Sequence, residues 1–264
     1  MKKTLLWHVV GAAVLLTLAA VIRLADADIP LFWLLHRVSA VTGTFLWANL
    51  TILGDTLVAS VFFILLLRRH PQIVWSALTA AVLVTLIVTV LKSGTGVQRP
   101  PAVLDRSLMT IIGPALGRRS FPSGHTATIF CTVGVLLPYL KVPTKAAALL
   151  LAAVVGWARI VDGVHWPTDV AAGAAIGLLG AAAGTLLVAR LKWRAHRTAQ
   201  LVWGAVFLIA AIVLLISYDT RYEQAVGLQR LYAALILLFG GWEYLHLLRN
   251  RTHKAVGLGD QSIT

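Results

Sequence analysis

The chain alternates long apolar runs with short polar segments. A run of about 20 apolar residues is long enough to cross a bilayer as an α-helix. Eight segments are predicted as membrane spans: 5–25, 50–67, 73–92, 123–140, 145–161, 169–190, 201–217 and 231–248. The stretch 29–47 is also apolar, but it contains His36, Arg37 and several hydroxyl side chains, so we predict a helix lying in the membrane interface. The pattern predicts an all-α polytopic membrane protein.

The composition supports this fold class. Of the 264 residues 59% are hydrophobic and 12% are charged, whereas soluble domains carry about 25% charged residues. The single cysteine, Cys131, lies in an apolar run and cannot form an internal disulfide. A net charge of +13 can indicate a nucleic-acid partner, but here the basic residues follow the ends of the spans. We therefore expect a lipid bilayer and a lipid substrate as partners, and no nucleic acid.

The distribution of basic residues predicts the orientation. Five segments that fall on one side of the eight spans hold 13 of the 23 Lys and Arg residues: Lys2, Lys3, Arg68, Arg69, Lys141, Lys145, Arg190, Lys192, Arg194, Arg197, Arg249, Arg251 and Lys254. Basic loops remain in the cytoplasm, so both termini are expected there, in a bacterial inner membrane. The start also resembles a signal peptide with a cleavage site at 25–27, but span one is longer than a usual signal core, so we expect an uncleaved anchor.

Three polar blocks lie at the ends of predicted spans. They are Lys92 with Arg99-Pro100, then Pro122-Ser123-Gly124-His125, then Arg159, His165 and Asp169. The predicted orientation brings all three blocks to the outer face, although their spacing does not require this. Lys and Arg bind phosphate oxygens, and Arg does so through a planar fork. Taken singly, Lys92 is also explained as an interfacial anchor and Arg99 as a loop cation. Arg159 follows thirteen uncharged residues and must meet a partner or water.

The second and third blocks both resemble helix starts. Ser123 is a good N-cap, and Gly124 allows an anion to approach the free N–H groups of the first turn. Plain capping explains this block equally well. Pro suits the first position of the next helix, which places Asp169 in its first turn, within reach of His165. A carboxylate bonded to one ring nitrogen leaves the other nitrogen free to attack.

Together the blocks read Lys-x6-Arg-Pro, Pro-Ser-Gly-His and Arg-x5-His-x3-Asp. This pattern resembles the signature of the type-2 phosphatidic acid phosphatase family, whose superfamily includes vanadium-dependent haloperoxidases and bacterial acid phosphatases. The resemblance covers residues 92–169 and departs at Ala158, where the family usually has Ser. We expect this departure to weaken phosphate binding at most.

The resemblance implies a role for each matching residue. His165 is the nucleophile that forms a phosphohistidine, Asp169 orients it and His125 protonates the leaving oxygen. The phosphate is held by Lys92, Arg99, Ser123, Gly124 and Arg159. The family needs no metal and no cofactor, and none is expected here. Two catalytic imidazoles predict a bell-shaped pH–rate profile.

The division of the chain follows from the same signature. Residues 1–198 are expected to form the phosphatase core of six transmembrane helices, with an active-site loop at 93–122 and a short helix near 103–112. Residues 199–264 add a transmembrane helix pair and a cytoplasmic tail. Three loop cations are equally explained as head-group contacts or as solvated charges: Arg106, Arg118 and Arg119.

The expected activity is hydrolysis of the terminal phosphate of a lipid on the periplasmic face. Undecaprenyl diphosphate is the leading substrate, with phosphatidylglycerophosphate and phosphatidic acid as alternatives. A lipid A phosphotransferase is a second enzyme class, because the segment 26–33 vaguely resembles the start of those proteins. A lipid flippase or transporter is the alternative outside the enzymes, but charges near mid-membrane and broken helices are not clearly predicted.

Overall fold

The described residues form helices joined by turns and loops, with no strand among them. The computed structural model describes residues 2–191 and 196–249, with side chains from Leu5 onward. Its helices are α1 (Lys2–Leu24), α2 (Asp28–His36), α3 (Ser39–Thr42), α4 (Thr44–Thr51), α5 (Thr56–Val61), α6 (Ile64–Leu67), α7 (Pro71–Thr95), α8 (Pro100–Val103), α9 (Gly124–Leu136), α10 (Val142–Val161), α11 (Pro167–Arg190), α12 (Arg197–Ile216) and α13 (Val226–Arg249). The predicted all-α polytopic fold is confirmed.

Six segments of the described residues are long and apolar enough to cross a bilayer. They are Leu5–Leu24, Pro71–Val103, Val142–Val161, Pro167–Arg190, Arg197–Ile216 and Glu223–Arg249, and each corresponds to a predicted span. The fourth predicted span, 123–140, forms α9. Its 13 residues extend only about 20 Å, less than the roughly 30 Å hydrocarbon core.

The second predicted span, 50–67, is wrong as one continuous helix. The chain there forms the end of α4, a 3-10 turn at Ile52–Gly54, and the short helices α5 and α6. The break occurs because the Asp55 carboxylate accepts hydrogen bonds from Leu57 N at 2.8 Å and Val58 N at 3.2 Å, which starts a new helix. An acidic N-cap inside an apolar run therefore divides it.

Two shorter predictions also need correction. The stretch 29–47 is not one helix: the segments Asp28–Thr42 and Thr44–Gly54 meet at an angle of 115°, with Gly43 between them at φ 75°. The helix predicted near 103–112 is reduced to a 3-10 turn at Arg106–Leu108, because the Asp105 side chain accepts from Ser107 N at 2.9 Å. In the first segment the positive φ of Gly43 ends the helix, and in the second the Asp105 side chain caps a single turn.

Helix α11 lies at the centre and packs against α1, α7 and α9. Glycines on α11 allow two of these contacts. A Cβ at Gly173 would lie 2.5 Å from Ser123 O, and one at Gly177 would lie 2.5 Å from Ala127 O, both on the α9 side. Gly180 and Gly184 face α7 in the same way. Small residues spaced by four let helix backbones approach closely. The start of α9 is thereby held against the start of α11.

The C-terminal pair packs against the short helices. Helices α12 and α13 contact each other, and they also contact α5 and α6. At the end away from α9's start, Glu243 pairs with Arg68 and, at 3.3 Å, with Arg69. Four cations used in the orientation prediction, together with the tail, lie outside the described residues: Lys192, Arg194, Arg251 and Lys254.

Candidate active site

The three polar blocks converge at one end of the helix bundle. Arg99 Nη1 lies 3.3 Å from His165 Nε2, and Ser123 N donates to Asp169 O at 3.0 Å. Both imidazoles, those of His125 and His165, lie within the electrostatic influence of the same cations: Lys92, Arg99 and Arg159. Other basic residues lie at the opposite ends of these helices, before α7, at the start of α10 and at the end of α11: Arg68, Arg69, Lys141, Lys145 and Arg190.

A tight turn carries His165 into this pocket. Helix α10 ends at Val161, and Gly163 follows at φ 76°, a conformation that favours glycine. Gly163 N donates to Ile160 O at 3.0 Å, and Val164 N donates to Arg159 O at 3.3 Å, so the last turn of the helix is closed. Pro167 then begins α11, which leaves His165 between the two helices.

His165 is held by a buried carboxylate. Its Nδ1 lies 3.2 Å from Asp169 Oδ2, which also accepts from Trp166 N at 2.9 Å and from Ser120 Oγ at 2.5 Å. His165, Asp169 and Ser120 are 2%, 1% and 0% exposed. The predicted reach of Asp169 back to His165 is therefore present. Ser120 was not predicted from the sequence as a partner of Asp169. Its position three residues before Ser123, in the same motif region, was the available signal.

The neighbours of His165 define its tautomer. The Arg99 guanidinium can only donate, so His165 Nε2 is the acceptor of that hydrogen bond. His165 Nδ1 therefore carries the proton and donates a hydrogen bond to Asp169. Burial lowers the pKa of His165 well below its usual 6.5, and the charges of Arg99, Arg159 and Lys92 lower it further. The ring is therefore neutral at neutral pH, with the lone pair of Nε2 directed toward the cations.

The start of α9 supplies the opposite wall of the pocket. Ser123 is the N-cap, and its Oγ accepts from Thr126 N at 3.4 Å and from Thr126 Oγ1 at 2.8 Å. Gly124 and His125 follow in the first turn, where backbone N–H groups form an anion site. His125 is half-buried, and a Cβ at Gly54 would lie 2.8 Å from its carbonyl oxygen. Gly54, in the break between α4 and α5, thus packs directly against the backbone of His125.

Main-chain carbonyls of the active-site loop and of the turn before α11 hold two of the cations. Lys92 Nζ donates to Arg119 O at 3.0 Å. Arg99 donates from Nε to Arg118 O and from Nη1 to Val164 O, both at 3.0 Å. The loop therefore orders the cations through its backbone, whereas the side chains of Arg118 and Arg119 are exposed.

The third loop cation is tied to its own segment. Arg106 Nε donates to Pro101 O at 2.7 Å. Contacts of Arg106, Arg118 and Arg119 with a head group stay predictions. Ala158, the departure from the family signature, is fully buried in the apolar cluster that contains Trp47.

Arg159 lies in a second buried cluster. Its Nη1 is 2.5 Å from Thr51 Oγ1, 2.8 Å from Asp162 Oδ2 and 2.5 Å from the Tyr222 hydroxyl. Sequence reasoning missed these three partners. Asp162 had a signal, because it follows Arg159 at the i,i+3 spacing of a helix pair. Thr51 and Tyr222 are 108 and 63 residues away, and no local pattern connects them to Arg159.

A groove lies beside this site. Its lining includes Asp169, Trp166 and Phe121. Its walls come from α1, α2, the end of α7 and α11, and the α1 side contributes Leu16, Ala19, Ala20 and Arg23. In residues 2–191 and 196–249, no cluster of three or more His, Cys, Asp or Glu side chains suited to a metal ion is present.

Known proteins are similar to this chain in sequence and in fold. The family model described as PAP2 superfamily matches residues 73–193. The crystal structure of Aquifex aeolicus LpxE superposes with a TM-score of 0.56 at 30% sequence identity, and it covers 63% of this chain and 96% of that chain. The chain belongs to the PAP2 superfamily. The recognition of the family from its three motifs is therefore confirmed.

Curated PAP2-related proteins match over shorter segments. YbjG of Escherichia coli (strain K12), named as an undecaprenyl-diphosphatase, is 34% identical over 29% of this chain and 36% of its own length. The lipid A 1-phosphatase of Rhizobium etli is 34% identical over 38% of this chain and 43% of its own length. The chain therefore matches less than half the length of each of these two relatives.

Proposed function

We propose that this chain is a membrane phosphatase that removes the terminal phosphate of a lipid phosphate or diphosphate through a phosphohistidine at His165. The observation that carries the proposal is the placement of the His165 ring: Nδ1 lies 3.2 Å from Asp169 Oδ2, and Nε2 lies 3.3 Å from Arg99 Nη1. An imidazole whose Nδ1 is held by a carboxylate, and whose Nε2 lies beside a cation that can bind phosphate, suits attack on phosphorus.

The first step forms the phosphoenzyme. His165 Nε2 attacks phosphorus, the bond from phosphorus to the lipid oxygen breaks, and His125, kept protonated by the bound phosphate anion, gives a proton to that oxygen. Asp169 keeps its hydrogen bond to Nδ1–H and stabilises the charge that the ring acquires. Lys92, Arg99, Arg159, Ser123 and the N–H of Gly124 bind the equatorial oxygens, where the negative charge lies. Removing one such donor typically costs about 10²–10³-fold in rate.

The second step releases phosphate. Water attacks phosphorus in line with the N–P bond, and the neutral His125 takes a proton from it. The N–P bond breaks and returns its electron pair to His165 Nε2. The products are inorganic phosphate and the lipid with one phosphate fewer, and both imidazoles recover their starting states.

Undecaprenyl diphosphate is the leading substrate within this proposal. The name of YbjG supports it, and so does the groove, because apolar side chains such as Leu16, Ala19 and Ile29 line it together with Asp169 and suit a hydrocarbon chain. The 1-phosphate of lipid A is the second candidate, supported by the relatives named for that activity. Phosphatidylglycerophosphate and phosphatidic acid are further members of the panel. We place the site on the periplasmic face, as the distribution of basic residues predicts.

A phosphate-release panel tests the proposal. Purified wild type and His165→Ala are compared on the four lipid classes and on a water-soluble phosphate monoester, each with and without EDTA. The expected result is release from at least one lipid, faster than from the soluble ester, retained in EDTA and lost in His165→Ala. In a further reaction, the donor lipid is labelled in its terminal phosphate and lipid A is present. Label on lipid A would indicate transfer in place of hydrolysis. Full activity in His165→Ala, or lipid movement without phosphate release, would overturn the proposal.

A further inference from the structure

The loop between α12 and α13 is bound into the core at the end where the pocket lies. It comprises residues 217–225. The Tyr218 hydroxyl donates to Asp55 Oδ2 at 2.9 Å, and Asn49 Nδ2 donates to Gln224 O at 3.3 Å. Gln229 Nε2 donates to Tyr218 O at 2.8 Å, which closes the loop onto the first turn of α13. This loop is thus fixed from both sides.

Tyr222 is the residue of this loop that contacts Arg159. It is 3% exposed and packs in the apolar cluster with Trp47, Ile112 and Ala158. Gly113 of the active-site loop lies against its ring at φ 81°, and a Cβ there would overlap the ring. The Tyr222 ring is therefore clamped between the active-site loop and α10.

The Tyr222 hydroxyl meets the phosphate-binding arginine of the proposed mechanism. Arg159 Nη1 has two hydrogens and lies within 2.5–2.8 Å of Tyr222, Thr51 and Asp162, so this nitrogen is fully engaged. Arg159 Nε, in contrast, is buried and has no hydrogen-bond partner among the described residues. An orphaned buried donor is costly unless a ligand binds it. Nη1 is therefore held by acceptors of the protein, whereas Nε remains available to donate to an anion.

We infer that Tyr222 is a positioning residue that orients Arg159 for phosphate, which makes the C-terminal helix pair part of the active site. Tyr222 lies outside residues 73–193, which the family model matches. A flexible arginine loses rotamer freedom when it binds, and a partner that orders it beforehand removes much of that cost. The inference rests on the proposed function, because it takes Arg159 as a phosphate ligand.

Tyr222→Phe tests the inference because it removes the hydroxyl and keeps the ring. Tyr218→Phe is the matched control, since it removes a hydroxyl from the same loop that bonds Asp55 and not Arg159. Hydrogen bonds to charged groups are worth roughly 1.5–3 kcal/mol, so Tyr222→Phe should lower kcat/KM and weaken competitive inhibition by inorganic phosphate about 10- to 100-fold. Tyr218→Phe should change both by less than about threefold.

A double-mutant cycle separates positioning from a general loss of structure. In an Arg159→Ala background, Tyr222→Phe should cause no further loss, because the group through which it acts is absent. Losses that multiply would overturn the inference. If Tyr222→Phe does not fold, Thr51→Val replaces it, since it removes another hydroxyl from the same nitrogen and should show the same dependence on Arg159.

Phosphate binding gives a readout that does not need turnover. Inorganic phosphate should raise the Tm of the wild-type full-length chain in detergent, and about tenfold more phosphate should be needed for Tyr222→Phe. If wild type hydrolyses no lipid phosphate but shows this difference, the proposed function fails and the inference stands. Normal hydrolysis with Tyr222→Phe equal to wild type would overturn the inference alone. Wild type that neither hydrolyses nor binds phosphate would overturn both.

Discussion

Two buried polar clusters border the same pocket, and they are built differently. The His165 cluster is assembled at the start of α11, where one carboxylate oxygen of Asp169 receives hydrogen bonds from His165, Trp166 and Ser120. The Arg159 cluster is assembled from distant segments, where one guanidinium nitrogen meets Thr51 and Tyr222. The first cluster has a single acceptor with several donors, and the second has a single donor with several acceptors.

The difference indicates separate tasks. A carboxylate that accepts from the ring fixes a tautomer, so the His165 cluster prepares the nucleophile of the proposed mechanism. Acceptors that surround a guanidinium fix its direction, so the Arg159 cluster prepares the phosphate contact. Damage to the first should therefore slow the chemical step, whereas damage to the second should mainly weaken binding of phosphate and of the transition state.

The largest predicted effect concerns the acceptor of the first cluster. Asp169→Asn should lower kcat by about 10³–10⁴-fold, because an amide has one acceptor oxygen for three donors and its NH₂ favours the wrong His165 tautomer. Steady-state kinetics on the best lipid substrate measure this change. Asp28→Asn is the matched control: Asp28 accepts from Thr168 N at 3.0 Å at the same helix end but does not touch His165. Equal losses in the two variants would contradict the assignment of Asp169.

A smaller effect is expected for the carboxylate of the second cluster. Asp162→Asn should lower kcat/KM by about 10- to 100-fold and weaken phosphate inhibition by a similar factor, because Arg159 loses a charged partner at 2.8 Å. Inhibition by inorganic phosphate is measured alongside turnover. A loss confined to kcat, with phosphate affinity unchanged, would remove the distinction between the clusters.

The pH dependence sharpens the assignment of His165. Its pKa is lowered, first by burial and then by Arg99 and the other cations, so the neutral, attacking form persists below pH 6.5. The acid limb of kcat/KM should therefore lie below pH 6.5 and should move to higher pH in Arg99→Gln, although activity on the plateau falls. A wild-type limb above pH 6.5 that Arg99→Gln does not move would count against a neutral His165.

The smallest predicted effect is on stability, at the helix contact that brings the first cluster beside the start of α9. A Cβ at Gly177 would lie 2.5 Å from Ala127 O, so Gly177→Ala should reduce the free energy of unfolding by about 1–3 kcal/mol. Gly241→Ala in α13 is the control, because nothing lies within 4 Å of its Cβ, and it should be neutral or stabilising by about 0.5–1 kcal/mol. The Tm values of the two variants are compared by thermal unfolding in detergent. Equal values would mean that α9 and α11 move apart at little cost, which would contradict the prediction.

The contact between His165 and Asp169 could be predicted from local sequence, whereas the contacts of Arg159 with distant segments could not. Pro167 and Asp169 have positions in a helix start that direct a carboxylate back to His165, and Ser123 is a local N-cap. Thr51 and Tyr222 reach Arg159 only through tertiary packing across 108 and 63 residues. The span predicted at 50–67 failed for a related reason, since apolar content does not reveal that Asp55 caps a new helix.

Direct trapping of the phosphoenzyme tests the central claim most closely. Purified wild type and His125→Ala are mixed with a lipid diphosphate labelled in its terminal phosphate and then quenched in alkali, where a phosphohistidine survives. The account predicts an acid-labile label on the peptide that contains His165, absent from His165→Ala. Turnover in wild type with no label on that peptide in either protein, or with label on another residue, would contradict it.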